Sequence, residues 1–163
     1  MLFKQVRIGK NGVPFVLYKF RSIPKKGVKP TVFGRILRRT KLDELPQLYN
    51  LIRGDMTLIG PRPDVPGYAD QLKGDDRIIL QVKPGITGLA SLKYRNEEQL
   101  LAKQENSLVY NDSVIWPDKV RINIWYIYNR TLKLDLIILV CTLFNIPLDI
   151  ESLIRKTENR KKK

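Results

Sequence analysis

Leu42-Asp43-Glu44-Leu45-Pro46-Gln47-Leu48 sets two adjacent carboxylates just ahead of a proline. A helix accepts proline in its first turn, where the missing N–H has no internal partner to lose. The spacing therefore predicts a helix start at about Asp43, an apolar stripe of Leu45, Leu48, Leu51 and Ile52, and a stop at Gly54. The positive end of a helix dipole favours the ionised form of an aspartate there. Free backbone N–H groups at the same end favour an anion such as phosphate. A carboxylate beside a phosphate-binding position is a starting point for phosphoryl chemistry. An Asp at a helix start is also a common N-cap, so the pair alone does not decide the matter.

Downstream, Gly60-Pro61-Arg62-Pro63 braces an arginine between two prolines. Both prolines fix their own φ, and Pro63 pushes Arg62 toward an extended backbone. A guanidinium on so stiff a loop loses little entropy when it grips a phosphate. Upstream, Gln5 to Phe20 reads as a β-hairpin around Asn11-Gly12. Period-two alternation puts Leu17, Lys19 and Arg21 on one strand face, with Tyr18 and Phe20 on the other. Ser22 to Lys29 reads as a polar loop. Thr31 to Arg39 reads as a helix through Val32, Phe33, Ile36 and Leu37, flanked by Arg35, Arg38 and Arg39.

Further on, Asp55 to Ile59 reads as short and extended. Tyr68 to Val82 reads as an amphipathic helix interrupted near Gly74, Lys83 to Gly88 as a turn, and Asn96 to Tyr110 as a helix. Pro117-Asp118 opens another helix. The apolar stretch Leu132 to Leu148 is shorter than the roughly 20 residues a spanning helix needs. It reads as a core helix or an interfacial one. Trp116, Trp125, Tyr126 and Tyr128 nearby favour a headgroup region. A basic tail from 149 to 163 would meet anionic lipid favourably. The expected fold class is α+β: one mostly helical domain with a short N-terminal β-hairpin and interfacial C-terminal helices.

The chain has 163 residues, with 30 Lys and Arg against 16 Asp and Glu, a formal charge of +14. Such a field needs an anionic partner: nucleic acid, an anionic membrane, or phosphorylated substrates. The aromatic spacing does not form a base-stacking platform and no nucleic-acid motif is present, so nucleic acid is not the expected partner. The single cysteine, Cys141, excludes a disulfide framework and fits a reducing compartment. Histidine is absent, so acid–base work falls to carboxylates, Lys or Tyr, and without His or a second Cys a zinc site is not expected.

Five motifs occur in one order: Tyr18-Lys19-Phe20-Arg21-Ser22, Leu42 to Leu48, Arg53-Gly54-Asp55-Met56, Gly60-Pro61-Arg62-Pro63 and Lys83-Pro84-Gly85-Ile86-Thr87-Gly88. Together, from about Phe3 to Phe144, the chain resembles the bacterial sugar transferases, the small monotopic phosphoglycosyl transferases that initiate cell-surface glycan assembly. The resemblance implies transfer of a sugar phosphate from a UDP-sugar to polyprenyl (undecaprenyl) phosphate at the cytoplasmic face of the bacterial membrane. It implies that residues 1–148 are the catalytic domain, with Asp43 as nucleophile. Asp43 would attack the sugar-bearing phosphorus, release UMP and hold the phosphosugar until the lipid phosphate takes it. Glu44 would help position magnesium and substrate or assist proton handling. Mg²⁺ is the implied cofactor, with Asp43 its ligand. Arg62 matches the phosphate-holding arginine, Arg38 and Lys19 match further basic positions, and Arg21 lies on the same strand face as Lys19.

The chemistry agrees with the residues alone. A carboxylate can form a covalent phosphoryl intermediate, cations stabilise the transferring group, and magnesium needs few protein ligands. Two departures are visible. Many relatives carry a re-entrant apolar hairpin before the position of Phe3, and this sequence starts where that element would end. Many have Asn-Gly-Arg where this chain has Lys93-Tyr94-Arg95-Asn96, which leaves Arg95 as a candidate sugar or nucleotide contact. A catalytically silent membrane-surface or scaffold protein, or a basic nucleic-acid-binding protein, is the alternative reading.

Overall fold

Strands β1 (Leu2–Ile8) and β2 (Pro14–Phe20) pair antiparallel, from Leu2 opposite Phe20 to Ile8 opposite Pro14. Asn11 and Gly12 both take positive φ, and Val13 N–H closes onto the Lys10 carbonyl at 3.1 Å. That is the left-handed turn that Asn-Gly favours. The computed structural model describes residues 2–23 and 31–161. The expected loop from Ser22 to Lys29 therefore lies mostly outside the described residues.

Helix α1 (Val32–Arg39) is capped by Thr31, whose hydroxyl accepts from Gly34 N–H at 3.0 Å. The dyad helix differs from expectation. Leu42–Glu44 forms a separate 3₁₀ turn, and helix α2 spans Gln47–Arg53 with Pro46 as its N-cap. Asp43 is thus held in the turn ahead of the helix, not in its first turn. Gly54 ends α2 in the left-handed conformation, as expected.

The apolar stripe of α2 points outward. Leu45, Leu48 and Ile52 are exposed, Ile52 to 84%, whereas Gln47 and Asn50 are buried. The reason is Asn50: its side-chain amide donates to Val16 O at 2.7 Å and its Oδ1 accepts from Tyr18 N–H at 3.2 Å. These bonds serve backbone groups of β2 and turn the polar face inward. Val32, Phe33 and Ile36 of α1 are exposed as well.

Strand β3 (Thr57–Ile59) lies parallel to β4 (Gly85–Thr87), so the segment expected only as a turn contains a strand. The helix expected over Tyr68 to Val82 is two 3₁₀ segments, Ala69–Gln71 and Gly74–Gln81. That expected over Asn96 to Tyr110 is broken into α4 (Glu97–Leu101) and α5 (Ser107–Tyr110), following α3 (Leu89–Lys93). Asn106 makes the break by capping α5, its Oδ1 accepting from Val109 N–H. A π-helical turn, Asn111–Ile115, then leads into α6 (Trp116–Asn129), with Pro117 in its first turn.

Helix α7 (Leu132–Leu143) buries Leu134, Ile138 and Cys141 and exposes Leu132, Leu136, Val140 and Leu143. Among the described residues no helix is long and apolar enough to cross a membrane. The segment expected as a basic tail is instead helix α8 (Ile150–Lys161) up to its last two residues, which lie outside the described ones. Ile150 and Ile154 are 2% and 3% exposed, because their i, i+4 spacing forms an apolar stripe that docks on the core. That core joins Ile59, Leu89, Ile122, Tyr126, Leu134 and Ile138. A smaller one joins Ile8, Ala69 and Leu80, with Trp116 packed against it. The architecture is α+β and mostly helical.

Candidate active site

Three elements converge on the dyad: strand β2 with Lys19, the 3₁₀ turn with Asp43 and Glu44, and the loop after β3 with Arg62. That loop is fixed by backbone bonds, Gly60 N–H to Thr87 O at 2.9 Å and Gly85 N–H to Pro61 O at 2.8 Å. The approach is so close that a Cβ at Gly85 or Gly88 would overlap Gly60 backbone atoms. Only glycine permits such contact. Arg62 then donates from Nη1 to Ile86 O at 3.0 Å, which orients its guanidinium.

Glu44 is fully engaged. Arg62 Nη1 donates to its Oε2 at 3.1 Å, Arg62 Nη2 donates to Oε1, and Lys19 Nζ stands 3.4 Å from Oε1. Burial alone would raise its pKa. The Arg62 charge and hydrogen bonds, aided by Lys19 and Lys41, hold it instead at about 2. This is the two-bond geometry that makes arginine–carboxylate pairs strong.

Asp43 is the opposite case. It is 9% exposed, and among the described residues no hydrogen bond reaches its carboxylate. Burial and the neighbouring Glu44 charge raise its pKa, against the pull of Lys19, Arg38 and Lys41. One carboxylate is clamped and its neighbour is left with free lone pairs. Unpaired acceptor oxygens beside cations are what an attack on phosphorus requires.

Lys19, Arg62 and Arg38 all act on this pair. Arg38 also pairs with Glu98 of α4. Arg21 stacks its guanidinium over the Phe3 ring at 5.8 Å. Arg95 stands apart: it donates to Asn145 Oδ1 and to Ile146 O at 3.1 Å in the turn after α7, and to Cys141 O at the end of α7 at 3.5 Å. The side chain of Arg62 is 35% exposed, enough to offer N–H groups to a ligand while holding Glu44.

Sequence reasoning missed several contributors. Lys41 carries φ +60°, a left-handed conformation rare for a side-chain-bearing residue, directly ahead of the dyad. Nothing in the sequence marks it. Arg7 donates to Pro63 O at 3.1 Å and Ile8 N–H donates to Asp64 O at 2.9 Å, tying β1 to the arginine loop. Burial pushes the Asp64 carboxyl up to about 6, against Lys119 and Arg7. Asn50 did carry a signal: Gln47 and Asn50, three apart, put a polar pair on one face of an apolar helix.

Among the described residues no group of three or more carboxylates or thiols converges to cage a metal ion. Magnesium does not need one, since it takes one or two carboxylates with substrate phosphates and water. The donor set fits that pattern through Asp43, because both oxygens of Glu44 are already bound.

Comparison with known proteins matches residues 1–148 to the family described as bacterial sugar transferase. The chain is 38% identical over 152 residues to the uncharacterized sugar transferase EpsL of Bacillus subtilis, covering 87% of this chain and 67% of that protein. It is 35% identical to a UDP-glucose:undecaprenyl-phosphate glucose-1-phosphate transferase of Klebsiella pneumoniae, over 88% of this chain and 32% of that protein. It is 33% identical to the undecaprenyl-phosphate galactose phosphotransferase of Salmonella typhimurium, over 86% of this chain and 32% of that protein. The chain thus spans about two thirds of the first relative and about a third of the other two. With the family match covering the hairpin, the dyad turn and the arginine loop, the chain belongs to the bacterial sugar transferase family.

Proposed function

We propose that this chain transfers a sugar phosphate from a UDP-sugar to polyprenyl phosphate, with Asp43 as a covalent nucleophile. The observation that carries the reading is the split dyad: Glu44 is bound by Arg62 and Lys19, and among the described residues no hydrogen bond reaches the Asp43 carboxylate. The named activities of the Klebsiella and Salmonella relatives supply the substrate classes.

In the first step an Asp43 oxygen forms a bond to the sugar-bearing phosphorus. The bond from that phosphorus to the bridging oxygen breaks, and UMP leaves with the electron pair. In the second step a polyprenyl phosphate oxygen attacks the same phosphorus and the Asp43 carboxylate is released. Arg62 and Lys19 oppose the charge that builds on the transferring group. Arg62 can do so without reorganising, since Ile86 O and Glu44 already orient it. A pKa of about 2 makes Glu44 a poor proton acceptor at neutral pH, so its part is to position Arg62. Mg²⁺, held by Asp43 together with diphosphate oxygens, would neutralise the donor's charge.

The acceptor lies in a membrane, and the exposed apolar residues of α1, α2 and α7 suit contact with one at its cytoplasmic face. The test is direct. Purified protein with Mg²⁺, UDP-glucose or UDP-galactose and undecaprenyl phosphate should release UMP. Intact-mass spectrometry without acceptor should show the added sugar phosphate, and Asp43→Asn should lose both signals. Continued UMP release by that variant would remove Asp43 from the nucleophile role.

A further inference from the structure

The loop that presents Arg62 runs on into an open groove of about 380 Å³, lined by Gly67, Tyr68, Gln71, Leu72, Asp112 and Trp116. Its size falls within the range of small-molecule sites. None of these residues belongs to the Asp43 cluster. We propose that this groove binds a polyhydroxylated sugar ring, the uncharged part of the donor, outside the phosphate-handling centre. The choice of ligand rests on the transferase reading; the groove's chemistry does not.

Its two aromatic rings meet edge to face, centroids 5.2 Å apart at 69°. Trp116 is anchored on the core of Ile8, Ala69 and Leu80, so its ring is a fixed platform. A pyranose or ribose ring has an apolar C–H face that such a platform covers, with hydroxyls around its rim. The polar groups for that rim are already aligned. Tyr68 Oη donates to Asp112 Oδ1 at 3.0 Å, and Asn111 Nδ2 donates to the same oxygen at 2.9 Å and to Tyr68 Oη at 3.2 Å. Both bonds to Asp112 fall on Oδ1, and among the described residues none falls on Oδ2. That free oxygen is a charge-assisted acceptor for a hydroxyl.

The groove also rejects the alternatives. Among the described residues it is lined by a carboxylate and no cation, so in a chain of charge +14 it is a poor place for phosphate. Asp112 and the Tyr68 hydroxyl make it a poor place for hydrocarbon. Asp112 and Trp116 both line the groove at the π-helical turn Asn111–Ile115, and such turns recur at functional sites. Tyr68 lies six positions after Arg62, so groove and clamp share one loop.

Saturation-transfer NMR on the full chain tests the proposal with methyl glucoside, methyl galactoside, UMP and UDP-glucose as probes. Hexose-ring protons should be saturated in the glycosides and in UDP-glucose. Asp112→Asn, an exposed change, should weaken that binding about tenfold, as loss of one charged hydrogen bond does. Trp116→Leu should abolish it. If ribose protons alone respond, with the same dependence on Asp112, the ring is the nucleotide's and the polyol assignment stands. Ring saturation that is absent, or unchanged in both folded variants, overturns it. Glycoside binding by a protein that releases no UMP would sink the transferase reading and leave the groove assigned.

Discussion

Arg62 binds Glu44 through both terminal nitrogens, and the same Nη1 also holds the Ile86 carbonyl. One guanidinium therefore links the dyad turn to the β4 strand. The link explains why two adjacent carboxylates differ so sharply, since Arg62 and Lys19 both donate to Glu44 and Arg38 is drawn to Glu98.

The acid limb of activity should belong to Asp43. Its pKa is raised by burial and then by the Glu44 charge, while Glu44 itself sits at about 2. The limb of kcat/KM for UMP release should thus lie above the ordinary aspartate value of 3.8. Glu44→Gln removes the repelling charge and should move the limb downward. The same variant should lower kcat about 10²-fold, because Arg62 loses its orienting partner. A limb that rises in Glu44→Gln would contradict this account.

Glu44 also ties stability to pH. Its folded pKa of about 2 lies below the ordinary glutamate value of 4.5, so its contribution is present above pH 4.5 and is lost as pH falls toward 2. The gap corresponds to an upper limit of about 3 kcal/mol, reduced by the solvent that reaches Arg62. Denaturant melts should show stability falling across that window in the parent and a shallower fall in Glu44→Gln. Equal slopes would mean the pair does not persist in solution.

Gly88→Ala tests the approach of the two loops. The new Cβ would overlap the Gly60 carbonyl and displace the segment leading to Arg62. A loss of about 1–3 kcal/mol is expected from overpacking. The donor KM should rise at temperatures where the variant remains folded. Unchanged melting and kinetics would show that the loop yields freely.

Much of this fold was legible because local chemistry and tertiary structure agree there. Asn11-Gly12 demanded the turn it makes, Pro117 opened its helix, and Gly54 closed α2. The misses share a different cause. The stripe of Leu45, Leu48 and Ile52 looked like a core face, yet the burial of Asn50 is set by backbone groups of β2 more than 30 positions away. The strand at Gly85–Thr87 depends on a distant parallel partner, which periodicity over three residues cannot reveal. In the site, the carboxylates and Arg62 were visible as a motif. The division of labour between Asp43 and Glu44 was not, because it depends on which of the two faces Arg62.

Arg95 offers a separation of roles. It caps α7 through Cys141 O and holds the following turn through Asn145 and Ile146, so Arg95→Ala should cost about 1 kcal/mol of stability, in the range for lost hydrogen bonds. Its effect on the donor KM decides whether it also meets substrate. A destabilised variant with unchanged KM assigns it to the cap alone, and a raised KM in folded protein adds a ligand contact.

The exposed stripe of α2 should matter to a bilayer and not to folding. Ile52 is 84% exposed and Leu48 46%, so serine at either position removes little buried area. Stability should change by no more than about 0.5 kcal/mol, as for other surface substitutions. At a membrane the same side chains would be buried, and each contributes about 1.5–3 kcal/mol when fully removed from water. Sedimentation with phosphatidylglycerol vesicles should therefore show the Leu48→Ser, Ile52→Ser double variant partitioning at least tenfold less than the parent. High salt should weaken both alike, because the cationic attraction they share is screened. Equal partitioning of parent and variant at low salt, lost from both at high salt, would assign membrane contact to charge and would leave Leu48 and Ile52 without that role.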